Sequence, residues 1–525
     1  MSQLNDVNKT DIVEAIRLGC RTMQSVFNKD DDMVPFFGSE LRPKTHLTFA
    51  NSASESHVAG RHLNALLNAE NAAGITLEEE AVENHTRAAF LSYSGPLPLS
   101  LNRKQTGESQ PVNFSPHNLR EGFHALYALA KYRDSAQARE LAEQSIDAIF
   151  EFWNPEKDWN VEGLEQRGLN YGACQGPIHG ELRMLGPLVK YYRTTGYGRA
   201  LELAFLVKEK LLNEFYLADG DFSVERFMTA HAHSITCVLS SLAQLADLTS
   251  DSALLMRVKK FYDNGLWQMR DEIGWSLESI NQENSDHGEA NNTGDILETA
   301  LILGRRGYPE CYHDAERILR CHLLPCQLRD NSFIVDPPNP DGLDGLHEIA
   351  DRHLGAFGFP APYGHISAGK GRRNLSFNMD IVGGSVGSLC EALRECVRTD
   401  QAGHWVNLLF DRKTDAVQVQ SPYTHNCLEI RVLKQGPLFV RIPPWVQDDE
   451  LKVEGVDRTP TRTGGYLFLS KPPMDSPISF RFPLKAQELT LSECVHIQPI
   501  RTKLLGDSVE AMENFGAELT YFPAL

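Results

Sequence analysis

Apolar residues recur with a helical period along most of the chain, up to about residue 400. In each such segment they fall at intervals of three and four, so they lie along one side of a helix. Three clear examples are Leu119, Phe123, Leu126, Tyr127 and Ala130; Ile235, Val238, Leu239, Leu242 and Leu245; and Val386, Leu389, Cys390, Leu393 and Val397. The pattern predicts a long series of amphipathic helices.

These helices are predicted to come in pairs. Polar or glycine-containing breaks fall at 131–134, 191–196, 245–249 and 304–307, and each is followed by a second helical segment. The repeat of roughly 55 to 60 residues is typical of a helical hairpin rather than of a single helix. About twelve helices are predicted. Six hairpins can close into an (α/α)6 toroid, and an open helical solenoid is the alternative.

The period changes after about residue 404, where β-branched and aromatic residues alternate with polar ones. Predicted strands cover 405–410, 416–419, 428–432, 438–442, 465–469 and 478–482. Short strands separated by turn residues indicate an antiparallel β-sandwich. The fold class is therefore mostly α with a β domain: an (α/α)6 barrel catalytic domain at 1–403 and a β-sandwich domain at 404–525.

The composition of the chain argues against two classes of binding partner. The 525 residues carry a net charge of -19, which argues against nucleic acid or an anionic membrane. Met1–Thr10 is polar without a signal-peptide pattern, and no apolar run reaches the ~20 residues of a membrane span. The ten cysteines form no C-x-x-C pair. A cytoplasmic, reduced protein is expected; a secreted mature form and a homodimer remain open.

The most unusual segment for chemistry is 280–295, with four carboxylates, one histidine and four asparagines ahead of an apolar helix. Glycoside hydrolysis needs two carboxyl groups, one to protonate the leaving oxygen and one to attack or activate water. Glu289 is the predicted acid or base, and Asp286 is its predicted partner. Asp295 and Glu298 also fit a helix capping box, so Asp295 is either a site residue or a cap.

Other candidates surround the same predicted mouth of the toroid. His231 and His233 lie at the start of a helix, where they could assist proton transfer, bind sugar or ligate a metal. Arg183, on an inner-helix stripe, is expected to point a cation toward the centre. Trp275 is expected either to stack on a sugar or to pack in the core. The substrate-binding candidates are Arg183, Glu55, Arg61, His117, Trp275 and Asp295.

Several motifs resemble glycoside hydrolase family 127, the β-L-arabinofuranosidase family. They are Gly288-Glu289 before an apolar helix, then 312–317, 406–412, 438–446 and 465–467, all in the family's order. The resemblance runs from about residue 55 to the end. It implies an (α/α)6 barrel with a β-sandwich and exo-glycosidase activity.

The chain departs from that family at its metal site. The resemblance implies a zinc held by a glutamate and three cysteines, one of them the nucleophile, and Glu289 matches the glutamate. Asn291 and Gly383-Gly384 stand where the family has cysteines, and Arg183 stands where it has a histidine. No thiolate remains there to bind zinc or attack, so no metal or cofactor is expected. A carboxylate mechanism through Glu289, helped by Asp286, His231 or His233, is the predicted replacement.

The predicted function is an exo-acting glycoside hydrolase on an oligosaccharide or glycoside. A polysaccharide lyase or sugar epimerase using His231, His233 and Arg183 is the first alternative, and a non-catalytic carbohydrate-binding protein is the second. Because a guanidinium matches a carboxylate, Arg183 favours an acidic sugar such as a uronic acid. A neutral pentose or deoxy sugar is the alternative, with Arg183 bonded instead to Glu289 or Asp286.

Overall fold

The helical part of the protein is a closed double ring. The computed structural model describes residues 3–280, 286–369, 374–492 and 495–525, and across these ranges six helices form an inner ring in which the last contacts the first. The inner helices are Ala59–Ala73, Leu119–Tyr132, Leu185–Thr195, Ala232–Thr249, Ala290–Arg305 and Met379–Cys396. Each packs beside one outer helix: Ile12–Gln24, Glu79–Ser92, Ala136–Phe152, Gly198–Lys210, Ser252–Asp263 and Glu310–Ile318. The (α/α)6 toroid predicted from the hairpin repeat is confirmed.

The two rings differ in how much of each helix is buried. Inner helix Ala232–Thr249 buries nearly every residue, including Ser240 and Ser241, because neighbours flank it on both sides and an outer helix covers its back. Outer helix Ala136–Phe152 buries only one stripe, which contains Ala138, Ala142 and Ile149. The burial pattern therefore distinguishes the two layers: outer helices bury one stripe, and inner helices are buried on nearly all sides.

The hairpins turn where left-handed backbone is available. Inner helix Leu185–Thr195 ends at Gly196 with φ of 73°, and Ala232–Thr249 ends at Ser250 with φ of 55°. A residue at positive φ turns the chain out of the helix while its N–H still bonds a carbonyl of the last turn. Both helix ends coincide with the breaks predicted from the sequence at 191–196 and 245–249.

Two five-stranded sheets form the sandwich. One has the order Val397–Asp400, Gly403–Val406, Leu438–Arg441, Tyr466–Leu469, Thr461–Thr463, and the other Arg412–Lys413, Val417–Gln420, Leu428–Val432, Pro477–Arg481, Lys452–Glu454. Gly403–Val406 and Leu438–Arg441 pair in parallel, whereas the other neighbours in these two sheets are antiparallel. Alternate residues such as Val417, Val419, Ile430 and Ile478 fill the space between the sheets.

A third sheet was not predicted. Its strands are Ala486–Thr490, Arg501–Leu505 and Ser508–Met512, and they pair antiparallel. Leu504 and Val509 belong to the apolar cluster of the toroid and not to that of the sandwich. The end of the chain therefore returns to the helical part, and the domain boundary between residues 403 and 404 stays a prediction.

Short elements fill the connections between the main helices. They are the helices Val161–Gln166, Val224–Phe227 and Ile349–Arg352, the helical turns Ser54–Val58, Pro116–Asn118, Glu181–Met184, Leu211–Phe215, Gly265–Gln268, Leu319–Leu323 and Asp344–Leu346, and the strands Phe27–Asn28, Val34–Pro35, Gly38–Glu40, His46–Thr48, Leu101–Asn102, Asn113–Phe114, Trp153–Asn154, Asp158–Trp159 and Asn170–Tyr171. A search of the described helices finds none with the length and hydropathy needed to span a membrane.

Candidate functional site

The N-terminal ends of the inner helices surround one cavity of about 320 Å³, which we call the inner cavity. Its polar lining includes His57, Arg61, Asn118, His231, His233, Glu289 and Asp380, all at or just before the first turn of an inner helix, and His179, which precedes the helical turn Glu181–Met184. Helix N-termini present unpaired N–H groups and the positive end of the helix dipole. The toroid thus gathers polar side chains and positive backbone ends at the same place.

Asp380 lies in the first turn of Met379–Cys396, and one of its carboxylate oxygens contacts both an arginine and a histidine. Arg61 Nη1 lies 3.0 Å and His57 Nε2 3.1 Å from its Oδ2. Burial alone would raise the pKa of Asp380, but Arg61 and His57 outweigh burial and lower that pKa below its ordinary value. Asp380 is therefore ionised at neutral pH.

Glu289 differs from Asp380 in its protonation state at neutral pH. It stands at the N-cap of Ala290–Arg305, accepts a hydrogen bond from Asn291 Nδ2 at 3.0 Å, and lies 3.8 Å from His231 Nε2. Burial raises the pKa of Glu289 to about 8, and the charges of Glu278 and Asp380 act in the same direction against Arg61. Glu289 is therefore mostly protonated at pH 7.

A buried carboxylate beneath the cavity contacts three arginines. Glu121 Oε1 lies 3.2 Å from Arg61, 3.0 Å from Arg120 and 3.0 Å from Arg183. Burial would raise the pKa of Glu121, yet Arg183, His57 and Arg61 hold that pKa well below its ordinary value. The guanidinium groups are thus fixed by an internal ion network, and Glu121 is a structural part of the floor.

Four histidines of the wall, His117, His179, His231 and His233, have lowered pKa values, so they are neutral at pH 7. Burial is the largest cause in each, and nearby Arg183 adds to it. His117 Nδ1 lies 2.7 Å from the carbonyl of His179, so this nitrogen carries the hydrogen and Nε2 is left as an acceptor. His231 Nδ1 pairs with Ser234 Oγ at 2.8 Å, which turns its other nitrogen toward Glu289. The wall offers neutral imidazoles of fixed orientation.

The structure brings five predicted residues to this cavity: Glu289, His231, His233, Arg61 and His117. The predicted partner Asp286 is elsewhere. Its carboxylate lies 3.1 Å from His496 Nδ1 and 3.3 Å from Tyr363 Oη, fully buried. The backbone between Asp286 and Glu289 is extended and not helical, so the two side chains do not share a face. Residues 281–285 of the predicted acidic segment lie outside the described residues.

Three other predictions are corrected by burial. Trp275 is fully buried and donates to the carbonyl of Pro360 at 2.8 Å, so it packs in the core. Glu55 is fully buried and ion-paired with Arg103. Arg183 is also fully buried and donates to the carbonyl of His117 at 2.9 Å and to Glu121, so its guanidinium binds neither a substrate, Glu289 nor Asp286.

Asp295 is neither a cap nor a wall residue of the inner cavity. The helix begins six residues earlier than the capping pattern suggests, with Glu289 as its N-cap, so Asp295 lies inside the helix. Its Oδ2 accepts from Thr236 at 3.0 Å and lies 3.4 Å from His233 Nε2. Asp295 therefore orients His233 from behind, which leaves His233 Nδ1 toward Arg61 and Arg183 at 3.4 Å each.

Sequence reasoning missed Asp380 and His179. Asp380 resembles an ordinary acidic residue in the first turn of a helix, where a carboxylate is favoured by the helix dipole alone. The one signal was its place three residues before Gly383-Gly384, a position that the family resemblance had already marked. His179 precedes Gly180 in an irregular segment, and no periodicity singles it out.

The zinc implied by the resemblance does not fit the residues present. The matching positions do converge, because a Cβ on Gly384 would lie 2.0 Å from Asn291 Oδ1. However, only Glu289 there is a good zinc ligand, and Asn291 already donates to it. The Arg61 guanidinium lies beside them, with Nη1 3.5 Å from the same Cβ position. A fixed cation next to a single carboxylate disfavours a metal ion.

A second group of possible ligands lies deeper. In the described ranges, His233, Cys237 and Asp295 are the residues whose ligand atoms lie within 4.8 Å of one another. Burial raises the pKa of Cys237, so it is a neutral thiol, and Arg120 lies 3.6 Å from Asp295. A metal ion held by these residues would therefore lie beside the Arg120 guanidinium, which disfavours it.

Comparison with known proteins supports the architecture. No protein-family model and no curated protein matches the chain. A glycoside hydrolase family 127 β-arabinofuranosidase superposes with a TM-score of 0.59 at 13% identity, covering 96% of this chain and 83% of that one.

Two further solved structures agree. A family 127 β-L-arabinofuranosidase from Geobacillus stearothermophilus T6 gives a TM-score of 0.57 at 13% identity, covering 96% and 80% of the two chains. A structure described as a glycoside hydrolase gives 0.52 at 12% identity, covering 86% and 76%. At these identities the likeness is one of fold. The chain therefore has the toroid-and-sandwich fold of glycoside hydrolase family 127, and it is a divergent structural relative of those enzymes.

Proposed function

We propose that this protein is a glycoside hydrolase in which Glu289 is the general acid and Asp380 is the nucleophile or general base. The observation that carries the proposal is one cavity with two carboxyl groups whose pKa values are displaced in opposite directions. Carboxyl pairs of this kind divide acid and base roles in glycoside hydrolysis. The fold shared with family 127 enzymes agrees with this reading.

The proposed reaction uses each group in the state that its surroundings favour. Glu289, protonated at pH 7, gives its proton to the glycosidic oxygen as the bond from that oxygen to the anomeric carbon breaks. Asp380, ionised, either bonds to the anomeric carbon, forming an ester that water then hydrolyses to regenerate the carboxylate, or removes a proton from the water that attacks that carbon directly. Arg61 and His57 hold Asp380 in place through their contacts with Oδ2.

The substrate proposed for the inner cavity is a neutral sugar. Arg183 was the reason to expect an acidic one, and it is buried under the floor. Arg61, the arginine that does line the cavity, is ion-paired with Asp380 and Glu121. A substrate carboxylate would therefore have to compete with two internal carboxylates. Because the similar structures are described as β-arabinofuranosidases, β-L-arabinofuranosides are the first neutral substrates to test.

Neutral imidazoles favour a second candidate, a lyase or epimerase that removes a proton from carbon. His117 and His231 line the same cavity, and their lowered pKa values leave them unprotonated and ready to accept a proton. That chemistry needs no protonated carboxyl group, so it does not explain the raised pKa of Glu289. We therefore place it second.

A panel of 4-nitrophenyl glycosides tests the proposal: α- and β-L-arabinofuranosides, rhamnosides and uronides, with wild type, Glu289→Gln and Asp380→Asn. Nitrophenol release from a neutral glycoside, lost in both variants, is the expected result. A product with the ultraviolet absorbance of an unsaturated sugar would instead identify a lyase. Interconversion of free sugars would identify an epimerase, and binding without turnover would identify a non-catalytic protein.

A further inference from the structure

A second, larger cavity of about 760 Å³ adjoins the inner one, and we call it the outer cavity. His117, His179 and His231 line both cavities, as does Glu278, so the two are adjacent and share a collar of imidazoles. Glu289 and Asp380 line only the inner cavity, and Glu289 lies against the collar through its 3.8 Å approach to His231. Glu289, the proposed general acid, thus lies near the junction between the two cavities.

Apart from His117, the wall of the outer cavity comes from three tied segments. Gln175 and His179 belong to the first, residues 224–231 form the second, and Glu278 and Ser279 belong to the third. Thr229 Oγ1 donates to Gln175 Oε1 at 3.2 Å, which ties the first two. The backbone N–H of Ile280 donates to the carbonyl of Ala230 at 2.9 Å, which ties the last two. The cavity is therefore a built feature of the fold and not a gap between independent loops.

Met228 is the conspicuous residue of this wall. Its side chain is 56% exposed and its backbone is left-handed, with φ of 55°. The preceding residue, Phe227, is fully buried among aromatic rings, which anchors the turn. A Cβ added to Gly176 would lie 2.9 Å from Met228 Cβ, and Gly176 itself has φ of 138°. The close approach of Gly176 on one side and the buried Phe227 on the other keep the apolar side chain of Met228 exposed at the rim of the outer cavity.

The chemical character of the outer cavity suits an uncharged, hydroxyl-rich group. Gln175, Thr229 and Ser279 offer amide and hydroxyl groups for hydrogen bonds, and Met228 and Val224 offer apolar contact. In the part of the chain that the structure describes, its lining includes no lysine or arginine, and the acidic side chains of Glu225 and Glu278 disfavour an anionic ligand there. A sugar ring has this same combination of hydroxyl edges and a C–H face, and a thioether adapts well to such a surface.

We propose that the outer cavity is the leaving-group subsite, which binds at least one uncharged sugar residue beyond the scissile bond, and that Met228 sets its specificity. This inference rests on the proposed function, because it takes Glu289 as the acid at the junction. The sugar that is released from its glycoside occupies the inner cavity, and the remainder of the chain occupies the outer one. The enzyme is thus built for short neutral oligosaccharides and acts from their end.

The test compares two substrates that share a glycone, chosen as the sugar whose 4-nitrophenyl glycoside is cleaved fastest in the panel above. One is its glycosyl fluoride, whose small leaving group does not fill the outer cavity; the other is a neutral disaccharide. We expect Met228→Gly to lower kcat/KM at least ~5-fold more for the disaccharide than for the fluoride. Glycine accepts the left-handed backbone at this position, so the variant should fold. Met256→Ala, which removes a methionine 58% exposed on an outer helix, is the matched control.

Each outcome has one meaning. An equal effect of Met228→Gly on both substrates, with the fluoride still hydrolysed, would overturn the subsite and leave the proposed function standing. Failure of every glycoside and fluoride to react would overturn the proposed function, and the subsite with it. A preference of wild type for an acidic over a neutral disaccharide would overturn the assignment of an uncharged leaving group.

Discussion

Replacing Glu289 by glutamine should separate activity from stability. The side chain keeps its shape and its contact with Asn291, but it can no longer give up a proton. Wild-type Glu289 has a pKa of about 8, so at pH 7 roughly nine in ten molecules carry the proton on this carboxyl group. The variant should lose at least ~100-fold in turnover, the usual scale for loss of a general acid.

The loss should depend on the leaving group. A 4-nitrophenyl or sugar leaving group needs protonation as it departs, whereas a 2,4-dinitrophenyl group leaves as a stable anion. We therefore expect Glu289→Gln to lose ~100-fold on the former and less than ~10-fold on the latter. The wild-type kcat/KM should fall above pH 8 as Glu289 ionises, and this limb should vanish in the variant.

The same substitution should stabilise the fold. A pKa raised from 4.5 to about 8 means that the folded state binds a proton that the unfolded state releases, so wild-type stability falls as pH rises through that window. The penalty grows from about 1 kcal/mol at pH 5 to about 3 kcal/mol at pH 7. Glutamine does not ionise, so urea denaturation should show the variant more stable than wild type by up to these amounts, and by more at pH 7 than at pH 5.

A matched control lies on the same helix. Glu298 is held by Ser240, Gln244 and Ser388 away from the inner cavity, so Glu298→Gln should change neither the leaving-group dependence nor the limb near pH 8. A folded Glu289→Gln protein with full activity would remove Glu289 from the mechanism. Equal losses on both leaving groups would show that it acts in another role, such as nucleophile.

Three further outcomes are expected. Asp380→Asn should reduce turnover at least ~100-fold on good and poor leaving groups alike, measured by kcat, and loss on the poor ones alone would contradict its role. Purified protein should hold far less than one zinc per chain and keep its activity in chelator, because Asn291 stands where a ligand is needed; stoichiometric zinc by elemental analysis would refute this. Burial would lower the pKa of His496, but Asp271 at 3.0 Å and Asp286 at 3.1 Å outweigh burial and raise that pKa to about 9. The contribution of the charged imidazole to folding stability is therefore complete below pH 6.5 and is lost as pH rises through 9. His496→Gln should therefore cost about 3 kcal/mol at pH 6 and much less at pH 10 in urea denaturation, and an equal cost at both would refute the charge.

The fold was predictable because its signals are local and repeated. Helical stripes, turn punctuation and the change to alternation after residue 404 each depend on a few neighbouring residues, and all three agree with the structure. The third sheet was not predicted because its strands alternate weakly, as in Ala486–Thr490, which is half-buried or exposed throughout. Its position is decided by contacts of Leu504 and Val509 with the distant toroid core, which no local pattern contains.

The site was only partly predictable for the same reason. Glu289 could be found because it precedes a strong helix in an unusual acidic segment. Asp286 was chosen by its closeness in sequence, but its partner is His496, more than two hundred residues later. Asp380 was missed for the opposite reason: its contacts with His57 and Arg61 join the last inner helix to the first, across the closure of the ring. A closed toroid places its most informative contacts at the largest sequence separation.

The closure of the ring also explains how two carboxyl groups in one cavity acquire opposite protonation states. Burial raises the pKa of both Glu289 and Asp380, so burial alone cannot separate them, and the Asp380 carboxylate raises the pKa of Glu289 further. The difference is contact with a cation: Arg61 lies 3.0 Å from Asp380, whereas Glu289 is held by the neutral amide of Asn291. The family resemblance implies a metal beside the glutamate. Here the Arg61 guanidinium lies near that position and pairs with Asp380 rather than Glu289, so Glu289 keeps its proton, as the proposed general acid requires.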